Sequence, residues 1–244
     1  MPPDTPSTRE RLLDAARYLF WEKGYAATGM AEILDRAQAR SGSFYHFFAG
    51  KEQLLLAVLD SYLEGLDPVI VQPALATTSV PIERTFAILA GYRQRLLETD
   101  CRYGCPLGRL ALEIEPENHP AHDRIAANFA AWIGAVRKCL EDAKDGLAPG
   151  TDLDALATFV LTTMEGGVMQ SRSSRCIAPF NQSVAQLRNY FHLLTQGAQN
   201  VQIANDSPDR GNGRHRRQQP GGGPKTGRSR KSAALRSNRS RPGK

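Results

Sequence analysis

The chain has 244 residues, 41% of them hydrophobic and 23% charged, which is an ordinary composition for a globular protein of one large or two small domains. No run of 18 apolar residues occurs, so a membrane-spanning helix is excluded, and the N-terminus lacks the apolar stretch of a secretory signal. We therefore expect a cytoplasmic protein whose four cysteines are free thiols.

The net charge of +6 is unevenly divided along the chain. Residues 205–244 contain twelve Lys and Arg against two Asp, whereas residues 1–204 hold nineteen basic and twenty-three acidic residues and carry −4. Because Gly, Pro, Ser and Arg dominate residues 205–244, we predict a disordered basic tail there. Such a tail either binds polyanions weakly, with strong salt dependence, or only aids solubility.

Helical periodicity predicts four helices in the first domain, at about 7–23, 28–37, 40–47 and from 51 onward. The pattern of Ser7 and Glu10 is typical of a capping box at the start of the first helix, and Gly24 is a stop signal at its end. Thr28 is predicted to cap the second helix. A turn at residues 38–39 leads into the third.

Prolines divide the rest of the chain. Pro68, Pro73 and Pro81 are predicted to break it and to mark a hinge between a domain of residues 1–66 and one of residues 67–204. Helical segments follow at roughly 81–99, 105–115, 119–145, 151–174 and 181–200. No segment before residue 200 alternates like a half-buried strand, so we predict an all-α fold.

Residues 28–51, TGMAEILDRAQARSGSFYHFFAGK, indicate two short helices joined by a tight turn. In the second helix a helical wheel places Phe44, Phe47 and Phe48 on one side. Ser41, Gly42 and Tyr45 lie on another side, with residues 43 and 46 between the two. A helix that starts with small hydroxyl residues suits insertion into the major groove of DNA. A buried aromatic cluster in a helical bundle is the alternative interpretation, and it accounts for the phenylalanines alone.

Residues 9–62 resemble the N-terminal domain of the tetracycline-repressor (TetR) family of transcriptional regulators. The shared residues are Ala15-Ala16, Leu19-Phe20, Gly24-Tyr25, Ile33, Ala37, the run from Gly42 to Phe48, and Lys51-Glu52-Gln53-Leu54. The resemblance implies that Thr28, Tyr45, His46 and Lys51 hold phosphates and that Arg40, Ser41, Gly42 and Ser43 face bases. Two residues depart from the family pattern: Gln38 replaces a turn glycine, and Arg40 replaces a serine. Arg40 can contact guanine or a phosphate, and we slightly favour the phosphate.

The family resemblance also implies that the second domain binds a small-molecule effector, of unknown identity. The last two long helices would pair with those of a second copy, giving a homodimer that reads a palindromic operator. The alternative interpretation is that the apolar stripes on these helices form an ordinary intramolecular core.

The segment Tyr103 to Glu113 resembles a Gly-Cys-Leu stretch in the subgroup that includes the N-ethylmaleimide-reductase repressor. There the cysteine matching Cys105 would sense electrophiles or oxidants. A thiol at a helix start is expected to have a lowered pKa, and Arg109 would assist it. The alternative is that Cys105 simply lines a pocket.

These features predict a DNA-binding regulator, most readily a repressor, released from its operator by a small molecule or by modification of Cys105. No enzyme motif or cofactor loop occurs, and we expect no metal site at His119 and His122. Two alternatives remain open. One is a small-molecule-binding or thiol-modifying enzyme, and the other is a nonspecific nucleic-acid-binding protein acting through its basic tail.

Overall fold

The computed structural model describes residues 6–115, 117 and 119–206, which form helices and turns without a strand, so the all-α prediction is confirmed. The first four helices are α1 (Thr8–Lys23), α2 (Met30–Arg36), α3 (Ser41–Phe47) and α4 (Lys51–Gly65). After a π-helical turn at Leu66–Val71 follow α5 (Gln72–Leu75), α6 (Pro81–Glu98), α7 (Pro106–Glu113), α8 (His119–Asp142), α9 (Leu153–Ser174) and α10 (Ala178–Asp206).

The start and end of α1 follow the predicted signals. Ser7 Oγ accepts a hydrogen bond from the Glu10 amide at 3.3 Å, and the Glu10 carboxylate accepts one from the Ser7 amide at 2.7 Å. At the other end Gly24 has φ of 95°, and its amide donates to the Phe20 carbonyl at 2.9 Å. A side chain rarely tolerates this backbone conformation, which explains the glycine.

A single apolar core fixes the first four helices against one another. The buried side chains of α1 recur every three or four residues: Leu12, Ala15, Ala16, Leu19 and Phe20. The other helices contribute Ile33, Phe44, Leu54, Leu55, Val58 and Leu59. Each fully buried Leu or Phe contributes about 1.5–3 kcal/mol, so burial of Phe44 strongly favours one rotation of α3 about its axis.

The predicted break at Pro68 and Pro73 is wrong, because the helical path continues through both residues. Pro68 lies in the π-helical turn, where the widened backbone accommodates the loss of one N–H donor. Pro73 lies at the start of α5, where that donor has no intrahelical partner. Only Pro81 follows an interruption, at residues 76–80, and it begins α6. The domain boundary after residue 66 stays a prediction.

The second half of the described chain is built around α8, α9 and α10. The Asn128 side chain on α8 donates to the Leu59 carbonyl at 3.0 Å and ties this half to α4. A Cβ placed on Gly167 would lie 3.2 Å from the Cα of Phe180, so glycine permits the close approach of α9 and α10. Among the described residues no helix is long and apolar enough to cross a lipid bilayer. Beyond Asp206 the predicted tail lies outside the described residues.

Candidate nucleic-acid interface and adjoining cavity

Helix α3 has one buried and one exposed side. Phe44 and Phe48 are 1% and 3% exposed, and their ring centroids lie 5.7 Å apart in the core. Tyr45, between them in sequence, is 64% exposed. The exposed residues of this segment also include Arg40, Ser41, Gly42 and His46, with Ser43 half-buried. The helical wheel predicts that the hydroxyl-bearing side of α3 lies opposite the phenylalanines, and the structure agrees.

Gly42 lies on the exposed side without a structural need for glycine. A Cβ built at this position would meet no heavy atom within 4 Å, and its φ is not positive. Neither packing nor backbone strain therefore requires the missing side chain. The free space above Gly42 lets a flat surface, such as a base-pair edge, approach the backbone of α3.

The turn between α2 and α3 adopts a left-handed backbone. Gln38 has φ of 48°, a conformation that glycine, the usual turn residue of the family, adopts more readily than a residue with a side chain. Arg11 of α1 holds the turn by donating from Nε to the Ala37 carbonyl at 3.0 Å. Sequence reasoning missed Arg11, because its partner lies 26 residues away and no local pattern marks the contact.

Thr28 is placed differently from its prediction. Its side chain is 2% exposed, and its hydroxyl donates to the Gly24 carbonyl at 2.6 Å, so it does not cap α2. Gly29 takes the cap position without a side-chain hydrogen bond. The carbonyls left unpaired at the end of α1 attract the hydroxyl inward. Thr28 therefore has no exposed hydroxyl with which to hold a phosphate.

Lys51 lies at the first position of α4 and contacts Tyr25. Its Nζ donates to the Tyr25 carbonyl at 2.6 Å and lies 4.3 Å from the centre of the Tyr25 ring. Partial burial lowers the pKa of the ammonium, and the negative charge of Glu113 opposes that shift. The contacts fix the ammonium against Tyr25, and two of its three N–H groups are not used by this carbonyl.

A cavity of about 400 Å³ lies between α1, α4, α6 and the α6–α7 loop. Six aromatic side chains line it: Tyr18, Trp21, Tyr62, Tyr92, Tyr103 and Trp132. The indole of Trp21 donates to the Gly104 carbonyl at 2.7 Å, and the centroids of the Trp21 and Tyr103 rings are 4.9 Å apart. Helix α1 therefore contributes both to the core that it shares with α3 and to the cavity wall.

Cys105 lines this cavity and caps α7. Its Sγ accepts a hydrogen bond from the Gly108 amide at 3.5 Å, as expected for a thiol at a helix start. Burial, followed by the negative charge of Glu165, nevertheless raises the pKa of Cys105 well above its usual value. The predicted lowering of the pKa is therefore wrong, because the desolvation of a thiolate outweighs the two amides that favour it. Burial raises the pKa of Glu165 as well.

The raised pKa predicts slow alkylation of Cys105. Because only the thiolate reacts, its rate with iodoacetamide should be low at pH 7 and keep rising above pH 9. The exposed Cys176 of the same chain is the internal control and should react at least tenfold faster at pH 7. Peptide mass spectrometry over a time course measures both rates. Faster labelling of Cys105 than of Cys176 at pH 7 would support a reactive sensor instead.

Arg109 does not join Cys105 at the cavity. It lies one turn further along α7, and its Nε donates to Glu113 Oε1 at 2.6 Å while another guanidinium nitrogen donates to the Glu22 carbonyl at 3.1 Å. The predicted role of Arg109 beside the thiol is thus not supported by its contacts, which are with α1. Among the described residues no three His, Cys, Asp or Glu side chains are grouped to hold a metal ion.

The outer face of α9 and α10 exposes apolar side chains. Met169 and Leu193 are 63% and 65% exposed, and the rings of Phe159 and Tyr190 pack together at 5.7 Å while remaining nearly half exposed. Large exposed apolar groups on two neighbouring helices are typical of a protein–protein contact.

Comparison with known proteins assigns both halves of the chain to described families. Residues 12–58 match bacterial regulatory proteins of the tetR family, and residues 81–186 match the LmrA/YxaF-like transcriptional regulator C-terminal domain. An uncharacterized HTH-type transcriptional regulator of Mycobacterium tuberculosis, Rv0196, is 32% identical over 74% of this chain and 92% of its own. The HTH-type transcriptional repressor DhaR of Mycobacterium sp. is 26% identical over 79% and 95%. Reduced Escherichia coli NemR shares the fold, with a TM-score of 0.66 at 23% identity over 75% and 96%.

Proposed function

Because the chain belongs to the TetR family of DNA-binding transcriptional regulators, we propose that it is a homodimeric repressor that leaves its operator when a small molecule occupies its cavity. The observation that supports operator reading is the exposed side of α3, opposite the buried Phe44 and Phe48. The names of the relatives are those of regulators, and we assign no enzymatic activity. Its place of action is the cytoplasm, where bacterial DNA lies.

The proposed contacts are of two kinds: short side chains contact base edges, and longer ones contact phosphates. Ser41, Gly42 and Ser43 face base edges in the major groove, and Tyr45 and His46 extend toward phosphates on either side. Lys51 adds a phosphate contact through the N–H groups that Tyr25 leaves free. Arg40 begins α3 and contacts either a phosphate or a guanine. Thr28 is left out because its hydroxyl is buried.

Tyr45→Ala tests the proposed surface. Because Tyr45 is largely exposed, the substitution should leave the thermal unfolding midpoint within about 2 °C, as surface changes usually do. Operator affinity in a gel-shift titration should fall about tenfold, the effect of losing one contact of about 1.4 kcal/mol. His192→Ala, which removes another exposed aromatic ring from α10, is the control and should bind like the parent protein. Equal affinities of the two variants would contradict the assignment of α3.

The proposed dimer uses the exposed apolar face of α9 and α10. Two copies are required because one α3 reads only one half-site, and successive major grooves lie about 34–36 Å apart. Close packing of α9 on α10 at Gly167 gives each copy a compact helix pair to present to the other.

Leu193→Arg should dissociate this dimer. Burying an unpaired guanidinium at the interface costs about 3 kcal/mol or more, so the dimer dissociation constant should rise at least about 100-fold. Analytical ultracentrifugation over a concentration series measures it. Leu112→Arg is the matched control, because Leu112 is 85% exposed on α7, away from the α9–α10 face. A dimer that survives Leu193→Arg unchanged would contradict this interface.

The proposed effector is a flat aromatic compound of modest size. A volume of about 400 Å³ suits a small organic ligand, and six aromatic rings offer stacking and edge contacts to a planar one. Occupation must favour one conformation of the dimer over another, because a ligand that binds both equally shifts nothing. Modification of Cys105 remains an alternative trigger, although the raised pKa of its thiol does not favour it.

A further inference from the structure

Helix α7 joins the cavity to the end of α1. At its start Cys105 lines the cavity, and a Cβ on Gly108 would lie 2.7 Å from the Glu165 carboxylate, so this part of α7 packs closely on α9. At its other end Arg109 and Glu113 contact α1 and the turn after it. Eight residues of helix span only about 12 Å, so movement at one end of α7 reaches the other with little loss.

Arg109 caps the C-terminus of α1. Its guanidinium donates to the carbonyls of Glu22, at 3.1 Å, and of Lys23, and these carbonyls lie in the last turn of α1, where helical partners are missing. A cation at this place also interacts favourably with the negative end of the helix dipole. The guanidinium is fixed by Glu113 at 2.6 Å, and both side chains are only 22% exposed.

Glu113 holds the turn that follows α1. Its Oε2 accepts a hydrogen bond from the Ala26 amide at 3.3 Å, and its carboxylate lies so close to Gly24 that a Cβ there would be 2.1 Å from Oε1. Tyr25, between these residues, carries the carbonyl and the ring that fix Lys51. The position of Glu113 therefore determines where the first residue of α4 presents its ammonium.

We propose that Arg109 and Glu113 are positioning residues that transmit occupation of the cavity to the turn carrying Tyr25 and, through Tyr25, to Lys51 at the start of α4. This inference rests on the proposed function and specifies its route. An occupant of the cavity displaces the Cys105 end of α7. The Arg109 guanidinium and the Glu113 carboxylate then move the end of α1 and the turn that follows it. The ammonium of Lys51 then moves away from its operator phosphate.

The test measures the coupling between cavity and operator. The probe is 8-anilino-1-naphthalenesulfonate, an aromatic anion whose fluorescence rises in apolar sites. Its dissociation constant is measured with full-length protein, free and saturated with an operator duplex, and the ratio of the two constants is the coupling factor. Effects common to both states, such as a change in folding stability, cancel in this ratio. Allosteric ratios of about 5–150 are typical.

We expect a ratio of at least 5 for the parent protein and below 2 for Glu113→Gln and Arg109→Lys. The first variant removes the charge that fixes the guanidinium, and the second cannot reach both carbonyls and Glu113 at once. The double exchange Arg109→Glu/Glu113→Arg keeps an ion pair but loses the carbonyl contacts, so it should also stay below 2. Glu141→Gln, which breaks the equally spaced Arg137–Glu141 pair on α8, is the matched control and should keep the parent ratio.

The outcomes separate two failures. Variants that keep the parent ratio would overturn the route through α7 and leave the proposed function intact. A parent ratio of 1 would instead overturn release by cavity occupation, and the route with it. If the probe does not bind the parent protein, Ser61→Trp supplies an occupant by mutation, because Ser61 lines the cavity. Operator affinity should then fall at least tenfold in Ser61→Trp and recover in Ser61→Trp/Glu113→Gln, and no recovery would overturn the route.

Discussion

Replacing Gly42 with leucine is expected to abolish specific operator binding while making the protein slightly more stable. The helix gains about 0.5–1 kcal/mol because glycine is a poor helix former, and no heavy atom lies within 4 Å of the new Cβ. On DNA the same side chain separates α3 from the base edges. Since each lost base contact costs about 1–3 kcal/mol, affinity should fall by at least about 100-fold.

Thermal unfolding and a gel-shift titration on the same preparations measure the two effects. Gly134→Leu is the matched control, because Gly134 lies in α8, is exposed and also has open space at its Cβ. It should gain similar stability and keep operator affinity. Gly42→Ala should give an intermediate loss. Unchanged operator binding by Gly42→Leu would mean that this side of α3 does not approach the bases.

Replacing Gly24 with alanine is expected to lower the free energy of unfolding by about 2–4 kcal/mol. Gly24 has φ of 95° and ψ of 166°, a region that costs a residue with a side chain about 1–3 kcal/mol. The new Cβ would also collide with the Glu113 carboxylate, which its bonds to Arg109 and Ala26 prevent from moving freely.

Urea unfolding at a fixed protein concentration measures the loss, because the stability of the proposed dimer depends on concentration. Gly29→Ala is the control: Gly29 has φ of −87° and no atom within 4 Å of its Cβ, so only the poorer N-cap preference of alanine should cost stability, about 1 kcal/mol or less. Adding Glu113→Ala to Gly24→Ala should remove the collision and leave the backbone strain. Equal stabilities of the Gly24→Ala and Gly29→Ala proteins would contradict the strained conformation.

Local features of the fold could be predicted from the sequence. The capping box at Ser7, the stop at Gly24 and the two sides of α3 each depend on residues within one or two helical turns. The spacing of residues over one or two helical turns is therefore enough to predict these three features. The helices of the second half were located for the same reason, from periodicity and the prolines and glycines between them.

Features that depend on distant partners could not be predicted. The pKa of Cys105 is raised by burial and by Glu165, which is 60 residues away in the sequence. The position of Cys105 at a helix start, which the sequence does show, predicts a lowered pKa instead. The sequence predicts that Thr28 caps α2, because no local pattern shows that its hydroxyl bonds to the Gly24 carbonyl at the end of α1. Arg109 reads as a companion of Cys105, yet its partners Glu22 and Lys23 precede it by more than 80 residues. Pro68 is predicted to break the helical path, because the sequence does not indicate that a π-helical turn accommodates it.

Selection of random DNA duplexes by the full-length protein tests operator reading most directly. We predict enrichment of an inverted repeat whose half-sites are centred about 10 base pairs apart, or a multiple of this spacing, with no enrichment by Gly42→Leu. A protein lacking residues 207–244 should select the same repeat. Recovery of no preferred sequence, together with loss of all DNA binding when residues 207–244 are removed, would contradict sequence-specific reading by α3 and favour nonspecific binding through the basic tail.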